Sequence, residues 1–227
     1  MTIETPELTK RITMPAFSFG SYSSPENTIE YSPGLVKTKG CSCYDLWEQG
    51  SRMSTAAEEL AMQFALERMG QDPRKAKDFA DLFGRNPAQW YAWQWTDTGL
   101  RVPKSWEHGR CDNGKYPRIV LIGDQEIAEI VVPAGCGRYV TEWNEAFGIP
   151  SATGEDPKQI NDYTTKFWFS PTPPKDERTD RYDVAIGRRS SWVSESKDSC
   201  LYVDATRVRS NSCAESGFRP VSDRTVF

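Results

Sequence analysis

The side chains that carry most protein chemistry are sparse in this chain, and their spacing gives little support to an active site. His108 is the single histidine, set in the polar turn SWEHGRCDNGKYP, so a Ser-His-Asp or Cys-His nucleophile would depend on it alone. The six cysteines, Cys41, Cys43, Cys111, Cys136, Cys200 and Cys213, include no C-x-x-C pair of the kind that binds zinc or cycles as a dithiol, and they read as buried or surface thiols. Glu142 and Glu145 in TEWNEAFG could act as acid and base or as oxygen ligands for calcium, but no second carboxylate motif accompanies them, and a polar loop is the expectation. Trp90, Trp93 and Trp95 in WYAWQW could stack on a sugar or a base, yet rings in a chain with 12% aromatics more often close a core, which is expected here. The most unusual stretch is VSESKDSCLYVDATRVRSNSCAES, twenty-four residues strewn with serine and cysteine and poor in apolar mass, held between RRSSW (Arg188 to Trp192) and GFRP (Gly217 to Pro220).

The elements that must hold this stretch are legible in part. In STAAEELAMQFALERMG, Thr55 and Glu58 form a capping box, and Ala57, Leu60, Ala61, Phe64 and Leu66 lay an apolar face before Gly70 ends the run, which predicts a core-packing helix from about Thr55 to Met69. A second helix is predicted over DPRKAKDFADLFG, residues 72–84, with Pro73 in its first turn and Phe79, Leu82 and Phe83 inward. YPRIVLIGDQEIAEIVVPAG reads as a hairpin around Gly123-Asp124, with Ile119, Leu121, Ile127 and Ile130 on the buried faces. IPSATGEDPKQINDYTT reads as loop, and FWFSPTPPKDERTDRYD as an aromatic strand running into a proline-held loop. No internal repeat is visible.

A chain of 227 residues can bury about three quarters of its unfolded surface as one domain, and a single domain over residues 1–227 is expected. The formal charge of -4 is spread without long runs, so nucleic acid is not expected as a partner. No stretch has the length of apolar residues that a membrane span needs, and MTIETPELTKRITMPAF lacks the apolar segment of a secretory signal. A cytoplasmic or virion-associated protein is the default expectation.

Four motifs line up as a set. RMSTAAEE (Arg52 to Glu59) resembles the R-L-P-T-E-A-E-W helix start of the formylglycine-generating-enzyme (sulfatase-modifying factor) type of C-type lectin fold, and GRYVTEW (Gly137 to Trp143) resembles its G-N-V-W-E-W. SPTPPKDERTDRYDVAIGRRSSW (Ser170 to Trp192) is similar to its N-P-T-G-P…R-V-x-R-G-G-S-W, and RSNSCAESGFR (Arg209 to Arg219) to its R…GFR close. Order and rough spacing hold over residues 52–219, with departures where Ser54 replaces the proline, Glu59 the tryptophan, and Arg189 and Ser190 the two glycines. The resemblance implies an α+β C-type lectin fold: twisted antiparallel sheets, two helices and long loops, with the hairpin in an insertion at about 90–135. The resembled enzymes oxidise a substrate cysteine through two copper-binding cysteines that follow G-G-S-W, where this chain has Ser194 and Ser199. A hydroxyl does not supply the soft thiolate that copper requires, and Cys200 is one residue out of step, on the opposite face if the segment is extended. Related sulfoxide synthases use a histidine-rich iron site, which one histidine cannot build.

A second branch of the fold accounts for the serine-strewn stretch. The chain resembles the variable proteins of diversity-generating retroelements, whose C-terminal lectin-fold segment is scrambled at the adenines of asparagine-type codons between fixed residues. Such codons never yield Lys, Glu, Gln, Met or Trp, and in residues 193–216 only Glu195, Lys197 and Glu215 fall outside the reachable set. The resemblance implies a hypervariable region at about 188–219, with Val193, Ser194, Ser196, Asp198, Ser199, Tyr202, Asp204, Thr206, Asn211 and Cys213 as ligand-binding positions and Tyr202 as the anchoring side chain. Trp192, Leu201, Val203, Gly217, Phe218 and Arg219 would be scaffold anchors. The implied function is display of a binding surface to varied protein ligands, with no catalytic residue, no metal ligand and no cofactor, a structural calcium ion being left open. The alternatives are an oxidase or other enzyme of this fold and an invariant lectin-like binding domain.

Overall fold

The computed structural model describes residues 8, 10–31, 36–37, 42–48, 52–68, 91–106, 114–155, 165–191, 201–212 and 216–224. The expected helix over residues 72–84, Trp90, His108, Trp192, Val193, Ser194, Ser196, Asp198, Ser199, Cys200 and Cys213 lie outside them.

The architecture is α+β and mostly sheet. The strands are β1 (Lys10–Met14), β2 (Phe17–Phe19), β3 (Tyr22–Ser24), β4 (Asn27–Tyr31), β5 (Val36–Lys37), β6 (Tyr91–Arg101), β7 (Lys115–Ile122), β8 (Gln125–Pro133), β9 (Cys136–Asn144), β10 (Ile149–Gly154), β11 (Thr165–Phe169), β12 (Asp183–Ser191), β13 (Leu201–Ala205), β14 (Ser216–Phe218) and β15 (Val221–Arg224). Two α-helices, α1 (Cys43–Glu48) and α2 (Ala56–Arg68), and a short 3-10 helix at Lys104–Trp106 complete the described elements. The large sheet runs β10-β9-β11-β13-β12-β6-β14-β5, and β7 pairs with β6 and carries β8. The expected antiparallel arrangement needs correction, because β11 pairs with β13 and β14 with β6 in parallel. Each parallel pair is closed by chain that passes through other strands first, which local patterning does not register. A three-stranded sheet β1-β4-β15 brings the first and last described strands onto the two edges of β4. Among the described residues no helix is long and apolar enough to cross a membrane.

The capping box of α2 is formed in both directions. The Glu58 amide donates to Thr55 Oγ1 at 3.2 Å, and the Thr55 amide donates to Glu58 Oε2 at 2.8 Å. The predicted apolar stripe does not serve the large sheet alone. Ala57, Leu60, Ala61 and Phe64 line a cavity shared with β1, while Glu59 and Gln63 are buried and reach arginines of the C-terminal segment. The helix is therefore buried on a polar face as well as an apolar one.

The hairpin of β7 and β8 turns at Gly123, whose φ of +56° favours glycine. Its buried face is not the predicted Ile119 and Leu121 alternation: Val120 and Leu121 are both fully buried and Ile119 only partly, because the pairing register shifts between them. Residues 149–154, expected as loop, form β10 against β9 with two register shifts. The main core gathers Leu100, Val120, Val132, Phe147, Phe167, Val184, Ile186 and Val203 between the sheet and the start of α2. Gly135 is required there, since a Cβ would sit 2.5 Å from the Phe167 ring.

Candidate functional site

The segment predicted to vary begins and ends on opposite sides of one strand. β12 flanks β6 in antiparallel pairing and β14 flanks it in parallel, so residues 192–215 leave one neighbour of β6 and return to another. β13, midway along that path, pairs with the outer edge of β12, Arg188 lying opposite Val203 and Arg189 opposite Tyr202. Leu201 pairs with Thr165 at the start of β11.

The expected anchors Val203, Gly217, Phe218 and Arg219 are buried. Phe218 is fully buried with Trp95, Met53, Leu46, Cys43 and Ala185, and Trp95 thus lies in a core as expected. Val203 is fully buried in the main core, and Gly217 is buried beside Phe218. Arg219, fully buried, donates from Nε to Glu59 Oε1 at 2.9 Å, and Ser54 Oγ donates to the same oxygen at 2.6 Å. Ser54 and Glu59 are two positions where the helix start departs from the resembled motif, and here they contact each other and hold the motif's arginine. A buried carboxylate needs such donors to offset its lost hydration.

Arg188 extends this arrangement into β12. Its Nη2 donates to Gln63 Oε1 at 2.6 Å, and its guanidinium lies 5.5 Å from the Trp143 ring centroid. Burial pushes the Arg188 pKa down to about 10, against the pull of Glu59 upward. Three arginine-bearing contacts thus join α2, β9 and the C-terminal segment. Behind the segment, Asp176 accepts from the amides of Arg178 at 2.9 Å and Ser210 at 3.0 Å, tying the loop after β11 to the turn after β13.

On the outer side, the pairing aligns three residues across three strands: Tyr139 of β9, Lys166 of β11 and Tyr202 of β13. Lys166 Nζ lies 5.1 Å from the Tyr139 ring centroid. One step along β11, Trp168 is 39% exposed and its ring covers Gly137, where a Cβ would come within 3.3 Å of it. The alternation Thr165-Lys166-Phe167-Trp168-Phe169 explains the split: Thr165, Phe167 and Phe169 are buried while Lys166 and Trp168 face out. Sequence reasoning missed Tyr139, Lys166 and Trp168 as neighbours of Tyr202, although TKFWF carries the period-two signal.

Two expected ligand positions are bonded to each other. Asp204 is buried, and its Oδ1 accepts from the Thr206 amide at 2.8 Å and from Thr206 Oγ1 at 2.6 Å. An aspartate two residues ahead of a turn binds its own backbone in this way, so Asp204 and Thr206 shape the end of β13 instead of offering free groups to a ligand. Tyr202 and Asn211 are half-buried.

The remaining candidates for chemistry are dispersed. Glu142 and Glu145 are both exposed, Glu142 on β9 and Glu145 in the turn that follows it. Among the described residues no group of three His, Cys, Asp or Glu side chains is placed to hold a metal ion. Burial pushes the Cys43 thiol up to about 12, while Cys136 is exposed at the start of β9. A cleft of ≈ 570 Å³ is lined by Tyr44, Glu48, Arg101, Asp124, Arg178, Thr179 and Arg181. Two of its arginines serve the fold: Arg101 binds Asp183 with two nitrogens at 2.7 Å, and Arg178 reaches Asp45 at 2.9 Å. No known protein family, no curated protein and no solved structure matches this chain.

Proposed function

We propose that the chain is a ligand-display protein with a C-type lectin fold, resembling the variable proteins of diversity-generating retroelements, and that residues 188–219 carry its binding surface for varied protein ligands. The observation that supports this reading is the division of that segment into two sets. Arg188, Val203, Gly217, Phe218 and Arg219 are buried and bonded into the frame, whereas Tyr202 shares an outer row with Lys166 and Tyr139, beside Trp168. A tyrosine with a lysine and a tryptophan nearby suits a protein ligand, since such rings bury large area at low rotamer entropy. The display set is Val193, Ser194, Ser196, Asp198, Ser199, Tyr202, Asn211 and Cys213, without Asp204 and Thr206. In this reading the protein is not an oxidase, because Ser194 and Ser199 stand where the copper thiolates would be.

The test combines gene and protein. The DNA beside the gene is expected to hold a near-identical template repeat and a reverse transcriptase gene. Replacing Ser194, Ser199, Tyr202 and Asn211 together should shift unfolding by no more than about 0.5 kcal/mol per site, whereas Phe218→Ala should cost about 3–5 kcal/mol. Purified protein should show no copper-dependent oxidation of a cysteine peptide. Loss of folding in the four-site variant, or turnover by the unaltered chain, would sink the display reading.

A further inference from the structure

A cavity of ≈ 440 Å³ lies between the middle of α2, the link from β1 to β2 and the turn after β9. It lies outside the row formed by Tyr139, Lys166 and Tyr202, and the display reading makes no use of it. Its helix wall is the stripe Ala57, Leu60, Ala61 and Phe64, spaced so that all four project to one side. Met14, Pro15, Ala16 and Ala146 line the cavity as well. Most of these side chains are short, which is why space remains between packed elements.

The walls are fixed. Gly148, with φ of +65°, approaches α2 so closely that a Cβ would stand 2.2 Å from the carbonyl of Ala56. Phe19 packs edge-on against Phe147 at 5.4 Å, which holds the β2 and β3 hairpin against the same turn. Leu60 is 1% exposed and Ala57 8%, so the floor is inside the protein, while Ala61, Phe64 and Ala146 are half-buried toward the mouth. Volume and composition are those of a small-molecule site, an apolar chamber with few polar groups.

The polar groups determine what would enter. Glu26 and Glu145, both exposed, line the cavity, and the described residues lining it include no lysine, arginine or histidine. Two carboxylates beside an apolar chamber favour a cation and disfavour an anion, because a charge-assisted hydrogen bond to one carboxylate is available only to a donor. We infer that this cavity is a binding site for an amphiphilic monocation, an alkyl- or arylalkylammonium group whose apolar body fills the chamber between α2 and β1 while its ammonium meets Glu26 and Glu145.

The probes are n-octylammonium and octanoate, equal in apolar length and opposite in charge, titrated into the full chain carrying 13C-methyl methionine. Met14 lines the cavity and reports occupancy, while Met53, in the Phe218 cluster, serves as the internal control. Octylammonium is expected to shift the Met14 methyl saturably with Met53 unmoved, and octanoate to bind at least tenfold more weakly. Glu26→Gln with Glu145→Gln should remove that preference, and Ala61→Trp should abolish binding of both probes by filling the chamber. If Ala61→Trp does not fold, Ala16→Trp fills the space from an exposed lining position. The inference is overturned by an absent or non-saturating Met14 shift, by equal affinity for the two probes, by a preference that survives the double glutamine variant, or by binding that survives the filling variant that folds.

Discussion

Single residues carry the sharpest energetic statements, and Asp97 is one of them. It sits on β6 with 8% exposure, and the Trp47 indole N–H donates to its carboxylate. Burial raises its pKa from the ordinary 3.8 to about 6, opposed by that hydrogen bond and by Arg52 and Arg209, and reinforced by Glu58. A carboxyl whose folded pKa exceeds its unfolded value binds the proton more tightly when folded. Its contribution to stability is therefore full below about pH 4 and is lost as pH rises through 6, a change of about 3 kcal/mol for this group. Asp97→Asn should remove that slope: urea midpoints at pH 4.5 and pH 7.5 should show the native chain losing ground to the variant as pH rises. Parallel profiles would mean that Asp97 is solvated. Asp204 teaches the complementary lesson about legibility. Its type and place in a serine-rich stretch read as surface, and only the structure shows it buried and bonded to Thr206. The pairing of Ser54 with Glu59 was equally hidden, since each looked like an isolated departure from a motif.

At the scale of elements, what was legible was what neighbours in sequence decide. The capping box, the start of α2 and the Gly123 turn depend on residues within a few positions of one another, and their types specify them. Strand β10 was not legible, because Pro150 and Gly154 give it a loop composition and its pairing with β9 absorbs two irregularities. The parallel partners of β6 and β11 were beyond reach for a different reason: pairing across long connections is chosen by the assembled sheet and leaves no local period. The outer row of Tyr139, Lys166 and Tyr202 inherits that invisibility, since it exists only once β9, β11 and β13 are aligned. Two substitutions test how α2 is seated. Thr55→Ala should cost about 1 kcal/mol by removing the cap oxygen. Gly148→Ala should cost at least about 2 kcal/mol, because strain at positive φ adds to a clash with the helix backbone. Thermal unfolding of the two variants should rank them in that order, and equal effects would show that the turn does not fix the helix.

For the whole molecule, the decisive feature is closure of the chain on itself. β15 and β1 share β4, so residues near both ends stabilise one small sheet. Truncation before Val221 should leave β4 with one partner and expose residues 10–31 to trypsin under conditions the full chain survives, and unchanged cleavage would deny that coupling. The placement of β14 has a further consequence for synthesis. β6 emerges from the ribosome early, but one of its two long neighbours is followed by the entire serine-rich stretch, and the other side waits for Ser216 to Phe218. A frameshift or stop codon anywhere between them deletes Phe218 from the core and Arg219 from its carboxylate, leaving an open sheet edge and a buried Glu59 without that arginine. Reading-frame errors in the stretch thus yield chains that misfold and meet proteolysis, whereas an in-frame change leaves Phe218 and Arg219 encoded. The fold itself thus screens messages for an intact frame through residues encoded beyond the stretch.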